Sequence, residues 1–267
     1  MKRFFCLLIP ISALIISCTD PGKRDDGHEE TKPPGPKSIT CSVIHTYPHD
    51  TSSFTEGLLF YKGDLYESTG EKERSRLLKV DLKTGKPLLG IDLPKEYFGE
   101  GIVIVNDTIY QLTYQEKVGF MYSLKDFKKI GEFTFNSPEG WGMTYNGKEI
   151  IASDGTSNLY FYQPGTFRLL RTMSITEAGG LSFNINELEY IDGFIYANQW
   201  QASYILKIDP ASGEVVGKAD LSGIVTAIKN NYPFADVMNG IAYNDSTKKT
   251  YITGKKWPEL YEVEFSK

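Results

Sequence analysis

From residue 39 onwards, one pattern occurs five times in this chain: a polar or aromatic residue, a short apolar strand, a turn, a second strand, a turn and a third strand. The units open on Glu56-Gly57-Leu58, Glu100-Gly101-Ile102, Trp141-Gly142-Met143, Asn186-Glu187-Leu188 and Asn239-Gly240-Ile241, at steps of 44, 41, 45 and 53 residues. Second strands follow at Asp64-Leu65-Tyr66, Thr108-Ile109-Tyr110, Glu149-Ile150-Ile151, Phe194-Ile195-Tyr196 and Thr250-Tyr251-Ile252. Third strands end in an apolar residue and an acid, as in Val80-Asp81, Ile208-Asp209 and Val263-Glu264. A fourth strand then runs outwards, as in residues 87–93 and 129–135. No long 3.6-residue period interrupts this texture, and 17 Tyr, 15 Phe and 25 Gly suit turn-rich β structure. Four strands per unit at a period in the forties is what a propeller blade requires. The predicted fold is therefore all-β, a five-bladed β-propeller. The last unit stops after its third strand at Phe265, so residues 40–47 are expected to supply the missing outer strand and close the ring without open edges. The long last step predicts an insertion around residues 224–236, a short helix or a loop over one mouth. The alternative is a β-sandwich with irregular strands, against which five in-phase units speak.

The N-terminal segment reads differently. Lys2 and Arg3 precede an apolar run over residues 4–16, short for a bilayer span and suited to a signal-peptide core. The run ends Ile15-Ile16-Ser17-Cys18, similar to a bacterial lipobox. On this reading residues 1–17 are a lipoprotein signal peptide and Cys18 carries lipid. An ordinary signal peptide with an incidental cysteine is the alternative. Residues 18–38, rich in Asp, Gly, Lys, Glu and Pro, form a flexible tether, and 39–267 the propeller. The expected product is an exported bacterial lipoprotein with its domain in the periplasm or at the cell surface. It would touch the membrane through its anchor only, and inner and outer membrane stay open. With Cys6 removed and Cys18 lipidated, Cys41 is alone, so no intramolecular disulfide is available. Net charge is -5 with no Lys/Arg cluster, which argues against a nucleic-acid partner. A closed ring has no obligatory partner edge, so a monomer is expected.

In a propeller the first strand of each blade lines the central channel. The five leading residues, Glu56, Glu100, Trp141, Asn186 and Asn239, should then face the axis near one mouth. Tyr114, Trp200 and Lys255 end the second strands, in Gln111-Leu112-Thr113-Tyr114, Asn198-Gln199-Trp200 and Thr253-Gly254-Lys255. Antiparallel pairing would return these ends to the same mouth. Acids, a cation and aromatics would converge there, although blade packing also explains each residue taken alone. The three histidines, His28, His45 and His49, have no zinc-ligand spacing, and His49 is a weak candidate for a base. No phosphate-binding glycine loop or nucleophile elbow occurs. No cofactor and no metal are predicted. One competing reading is a hydrolase whose axial metal is held by Glu56, Glu100, Asn186 and Asn239.

Further motifs accompany the repeat: Phe54-Thr55-Glu56-Gly57-Leu58, Tyr66-Glu67-Ser68-Thr69-Gly70, Phe98-Gly99-Glu100-Gly101, Gly140-Trp141-Gly142, Ser153-Asp154-Gly155-Thr156, Asn186-Glu187-Leu188-Glu189-Tyr190, Ala197-Asn198-Gln199-Trp200-Gln201 and Thr253-Gly254-Lys255-Lys256-Trp257-Pro258. As an ordered set they resemble the glutaminyl-peptide cyclotransferase family of plant and bacterial type, also called glutamine cyclotransferases. The resemblance implies a five-bladed propeller and an aminoacyl-type acyltransferase. Its substrates would be peptides or proteins with an N-terminal glutaminyl residue, converted to pyroglutamate with release of ammonia. It implies active-site positions at Phe54, Glu56, Phe98, Glu100, Tyr114, Trp141, Asn186, Trp200 and Lys255. From the chemistry of the reaction, Glu100, Lys255 and Asn186 are expected to be catalytic, Glu100 as the proton shuttle and Lys255 and Asn186 polarising the carbonyl oxygen or orienting the substrate. Phe54, Glu56, Phe98, Tyr114, Trp141 and Trp200 would bind substrate. Two positions depart from the family pattern, which commonly has Gln where Glu56 stands and Trp where Tyr114 stands. The other open reading is a catalytically silent propeller that binds peptide termini or glycans.

Overall fold

Strands pressed between two neighbouring blades must be apolar on both faces, whereas perimeter strands need only one, and the repeat follows that rule. The computed structural model describes residues 33–266. Two N-terminal strands, β1 (Lys37–Ile39) and β2 (Cys41–Pro48), precede the blades. Blade 1 is β3 (Thr55–Tyr61), β4 (Asp64–Thr69), β5 (Arg76–Val80) and β6 (Pro87–Asp92). Blade 2 is β7 (Gly99–Val105), β8 (Thr108–Thr113), β9 (Val118–Ser123) and β10 (Lys129–Thr134). Blade 3 is β11 (Met143–Tyr145), β12 (Ile150–Ser153), β13 (Asn158–Gln163) and β14 (Arg168–Ser174). A small hairpin, β15 (Thr176–Glu177) and β16 (Gly180–Leu181), leads to blade 4: β17 (Ile185–Ile191), β18 (Phe194–Gln199), β19 (Tyr204–Ile208) and β20 (Val215–Asp220). Helix α1 (Ser222–Asn231) leads to blade 5: β21 (Met238–Asn244), β22 (Lys249–Gly254) and β23 (Glu259–Phe265). Inner strand β7 is buried along its whole length, while outer strand β10 is largely exposed.

The ring closes as its repeat requires. β2 pairs antiparallel with β23, Cys41 opposite Phe265 and Pro48 opposite Glu259, and supplies the outer strand of blade 5. β1 adds an unanticipated fifth strand to blade 4, parallel to β20. Lys37 and Ser38, within the expected tether, are thus in a strand, paired with Gly217 and Lys218. Gly217 makes room for this, since a Cβ there would lie 2.5 Å from Ile39 Cδ1. Cys18 and the signal segment lie outside the described residues.

The core divides into five apolar clusters, one at each seam between neighbouring blades. Leu59, Tyr66 and Leu77 meet Ile102, Ile109 and Phe120 between blades 1 and 2, for example. The predicted insertion is α1 and the loop after it. The helix buries Val225 and Ile228 in the seam of blades 4 and 5 with Trp257.

At the hub, glycines let inner strands approach one another. A Cβ on Gly101 would sit 2.4 Å from Trp141 O, and one on Gly142 would sit 2.3 Å from Asn186 O. Blade 4 carries Glu187 at the equivalent position. Its buried carboxylate accepts from Leu58 N at 3.2 Å and Ile241 N at 2.8 Å, tying blades 1, 4 and 5 together across the axis. Burial, with Glu189 nearby, pushes this carboxyl well above the usual range.

Candidate active site

Every blade-to-blade connector ends at a leading residue, so all five connectors border the same mouth of the channel. In four blades the first strand pair breaks register there, between Thr55 and Gly57, Gly99 and Ile102, Ile185 and Leu188, and Met238 and Ile241. Such bulges re-aim side chains, and these four carry Glu56, Glu100, Asn186 and Asn239. The turns after β8, β18 and β22 bring Tyr114, Trp200 and Lys255 to the same place, and connectors add Phe54, Phe98 and Trp141. Together Phe54, Glu56, Phe98, Glu100, Tyr114, Trp141, Asn186, Trp200 and Lys255 line one cleft of about 210 Å³. All nine residues expected to bind or transform substrate therefore meet in it. Glu56, Glu100, Asn186 and Lys255 are buried, and the five aromatics are half-buried above them. Phe54 meets Phe98 edge-on at 6.1 Å between centroids, and Trp141 meets Trp200 likewise at 5.6 Å.

The two acids differ in what they bond. Lys255 Nζ lies 2.7 Å from Glu56 Oε1, and Asn239 Nδ2 donates to Glu56 Oε2 at 3.1 Å. Lys255 also sits over the Phe54 ring, 4.6 Å from its centroid, within cation–π range. Burial still outweighs these partners and holds the Glu56 carboxyl up at about 7, with Asp236 adding repulsion. Glu100 has no such cation bonded to it. Burial above all, and then the neighbouring Glu56, raises its carboxyl well above the carboxylate range. Glu139 and Glu116 push the same way, and Lys255 opposes them. The backbone under Glu100 is held by Ser68 Oγ, which donates to Glu100 O and accepts from Gln111 Nε2 at 2.8 Å. Asn186 presents a buried Oδ1 without a protein partner, an acceptor suited to an incoming N–H.

Two contributors carry no assigned role in the sequence. Asn239 stands among the leading residues, yet its bond to Glu56 cannot be read from the repeat. Glu139 belongs to no motif at all. Its Oε2 accepts from Trp141 Nε1 at 2.9 Å, and its Oε1 accepts from Gln115 Nε2 at 2.8 Å. One carboxylate thus ties Trp141 to the turn that carries Tyr114. His49, the weak candidate for a base, belongs elsewhere. It is buried, with Nε2 3.0 Å from Glu67 Oε1 and Nδ1 2.7 Å from Trp257 O, and it braces the turn that carries Lys255.

Among the described residues no three His, Cys, Asp or Glu side chains group as metal ligands. Of the alternative axial metal ring, Glu56 is engaged otherwise, since it already accepts from Lys255 and from the amide nitrogen of Asn239.

Comparison with known proteins agrees with this geometry. The family model for glutamine cyclotransferases matches residues 13–265. A glutaminyl-peptide cyclotransferase of Arabidopsis thaliana is 36% identical over 223 residues, which cover 83% of this chain and 70% of that protein. The crystal structure of Myxococcus xanthus glutaminyl cyclase superposes with a TM-score of 0.81 at 36% identity, covering 86% of this chain and 98% of that one.

Proposed function

The chain belongs to the glutamine cyclotransferase family, and from that premise we infer that it is an enzyme converting an N-terminal glutaminyl residue to pyroglutamate with release of ammonia. The substrate's α-amine attacks its own side-chain amide carbon. A C–N bond closes the ring, the bond to the amide nitrogen breaks, and ammonia leaves. Nucleophile and electrophile are already tethered, so a cleft that holds the folded-back rotamer supplies much of the catalysis. An unperturbed α-amine has a pKa of about 7.7–8.0, so a useful fraction is neutral near pH 7.

The observation that carries the mechanism is a raised, buried Glu100 beside an acid that is already paired with lysine. In its neutral form Glu100 gives its proton to the departing nitrogen, which cannot leave as an amide anion. It recovers a proton from the attacking amine, so the cycle balances. Lys255 has three donors and Glu56 takes one, leaving others for the amide oxygen as it gains negative charge. Asn186 Oδ1 accepts from a substrate N–H and orients it. Phe54, Phe98, Tyr114, Trp141 and Trp200 exclude water.

We further propose the acyltransferase class, action as a monomer, and export as a lipoprotein anchored through Cys18, acting on glutaminyl peptides or proteins outside the cytoplasm. The test of function is mass spectrometry of Gln-initiated peptides incubated with the purified protein. Loss of ammonia is expected with wild-type protein and not with Glu100→Gln. Undiminished conversion by Glu100→Gln would remove the shuttle assignment, and no conversion by wild type would remove the activity.

A further inference from the structure

A cleft of about 210 Å³ is small beside the ~300 Å³ and upwards typical of ligand pockets. It suits one residue, so the rest of a polypeptide substrate must leave across the rim. The rim is uneven. The connectors before blades 1 and 2 are polar outside the cleft, with Asp50, Thr51, Lys95 and Glu96. The two connectors that flank blade 4 are longer and carry exposed apolar side chains: Leu181 and Phe183 on one, Tyr232 and Phe234 on the other. Phe234 is 91% exposed and Phe183 52%. The remaining exposed large apolar residues, Val43, Ile44, Leu88, Ile130 and Leu170, lie on outer strands.

Both connectors are fastened to the cleft. Trp200 N donates to Asn184 O at 2.8 Å, one residue beyond Phe183, and Gln199 Nε2 donates to Phe183 O at 3.0 Å. On the other side, Asp236 N donates to Lys255 O at 2.8 Å, two residues beyond Phe234. Leu221 N donates to Ser203 O at 2.8 Å, joining the start of the second connector to the Trp200 turn. The backbone that bears these apolar side chains is thus bonded, within one or two residues, to the turns that carry Trp200 and Lys255, walls of the cleft itself.

Resting on the cyclase reading, we propose that these two connectors form a shelf that binds apolar side chains at the second and third positions of the polypeptide substrate. Exposed apolar groups beside a cleft mark an interaction site, and continuity with the cleft selects the substrate chain as occupant.

The test uses the full-length chain in detergent with three probes: glutaminamide, Gln-Leu-Phe amide and Gln-Ser-Asn amide. Wild type should prefer the apolar tripeptide by about tenfold or more in kcat/KM, the effect of partly burying two side chains. Phe183→Ser with Phe234→Ser should cut that preference to about twofold, through KM, while glutaminamide kinetics stay unchanged. Binding of both tripeptides to Glu100→Gln protein, read by calorimetry, should show the same preference and the same loss. No preference in wild type, or a preference that survives both substitutions, overturns the shelf. So does a change in vesicle binding or self-association with the tripeptide ratio intact, since the surface would then serve a membrane or a second copy. Absence of ammonia from every probe, with the binding preference retained, overturns the cyclase reading and leaves the shelf standing.

Discussion

Glu56 and Glu100 are the same side chain at equivalent repeat positions, and their neighbours give them different chemistry. Glu56 is bonded to Lys255 and Asn239, while Glu100 is buried and repelled by Glu56. Replacing Glu100 by Gln should lower kcat by about 10²–10⁴, the usual worth of a general acid–base, as read by ammonia release. Glu56→Gln removes a negative charge beside Glu100 and so lowers the Glu100 pKa. The loss of activity that follows Glu100 deprotonation should therefore begin at lower pH, and a pH–rate profile checks the sign. Lys255→Met leaves Glu56 buried without its cation and should destabilise the fold by about 3–5 kcal/mol. Adding Glu56→Gln should restore most of that stability without restoring activity, as measured by chemical denaturation and turnover.

At the scale of elements, bulges and close strands do the positioning. Each bulge turns a leading residue into the mouth, and in blades 1 and 2 the glycine beside it admits the next blade. Gly101→Ala would place a methyl 2.4 Å from Trp141 O and 2.6 Å from Met143 N. These backbone atoms cannot yield as a flexible side chain would, so a loss of about 1–3 kcal/mol is expected in denaturant titration. Ring closure through β2 is separable from the added strand β1. A chain beginning at residue 41 loses only β1 and should stay monodisperse. One beginning at residue 49 exposes the edge of β23 and should self-associate, which light scattering distinguishes.

For the molecule as a whole, buried carboxylates make stability depend on pH. Glu189 accepts from Tyr243 N at 2.7 Å and from Thr144 Oγ1 at 3.4 Å, and burial raises it from 4.5 to about 8. The folded state therefore holds a proton that the unfolded chain releases. This contribution is fully present below pH 4.5 and is lost as pH climbs to about 8. Stability should fall across that window, and Glu189→Gln should flatten the fall in denaturation midpoints. The repeat period, the polar leading residues and the returning strand ends were legible in the chain because each is a local pattern, and together they specified five blades and seven of the nine cleft residues, Phe54 and Phe98 coming from the family resemblance alone. The choice of Glu56 over Glu100 as the partner of Lys255, 199 residues away, was not. Nor were the bracing of Trp141 by Glu139, the parallel strand β1 or the fastening of the two connectors that flank blade 4 to the turns carrying Trp200 and Lys255. These depend on which distant groups ring closure brings within bonding reach, and on how far burial then shifts their charge.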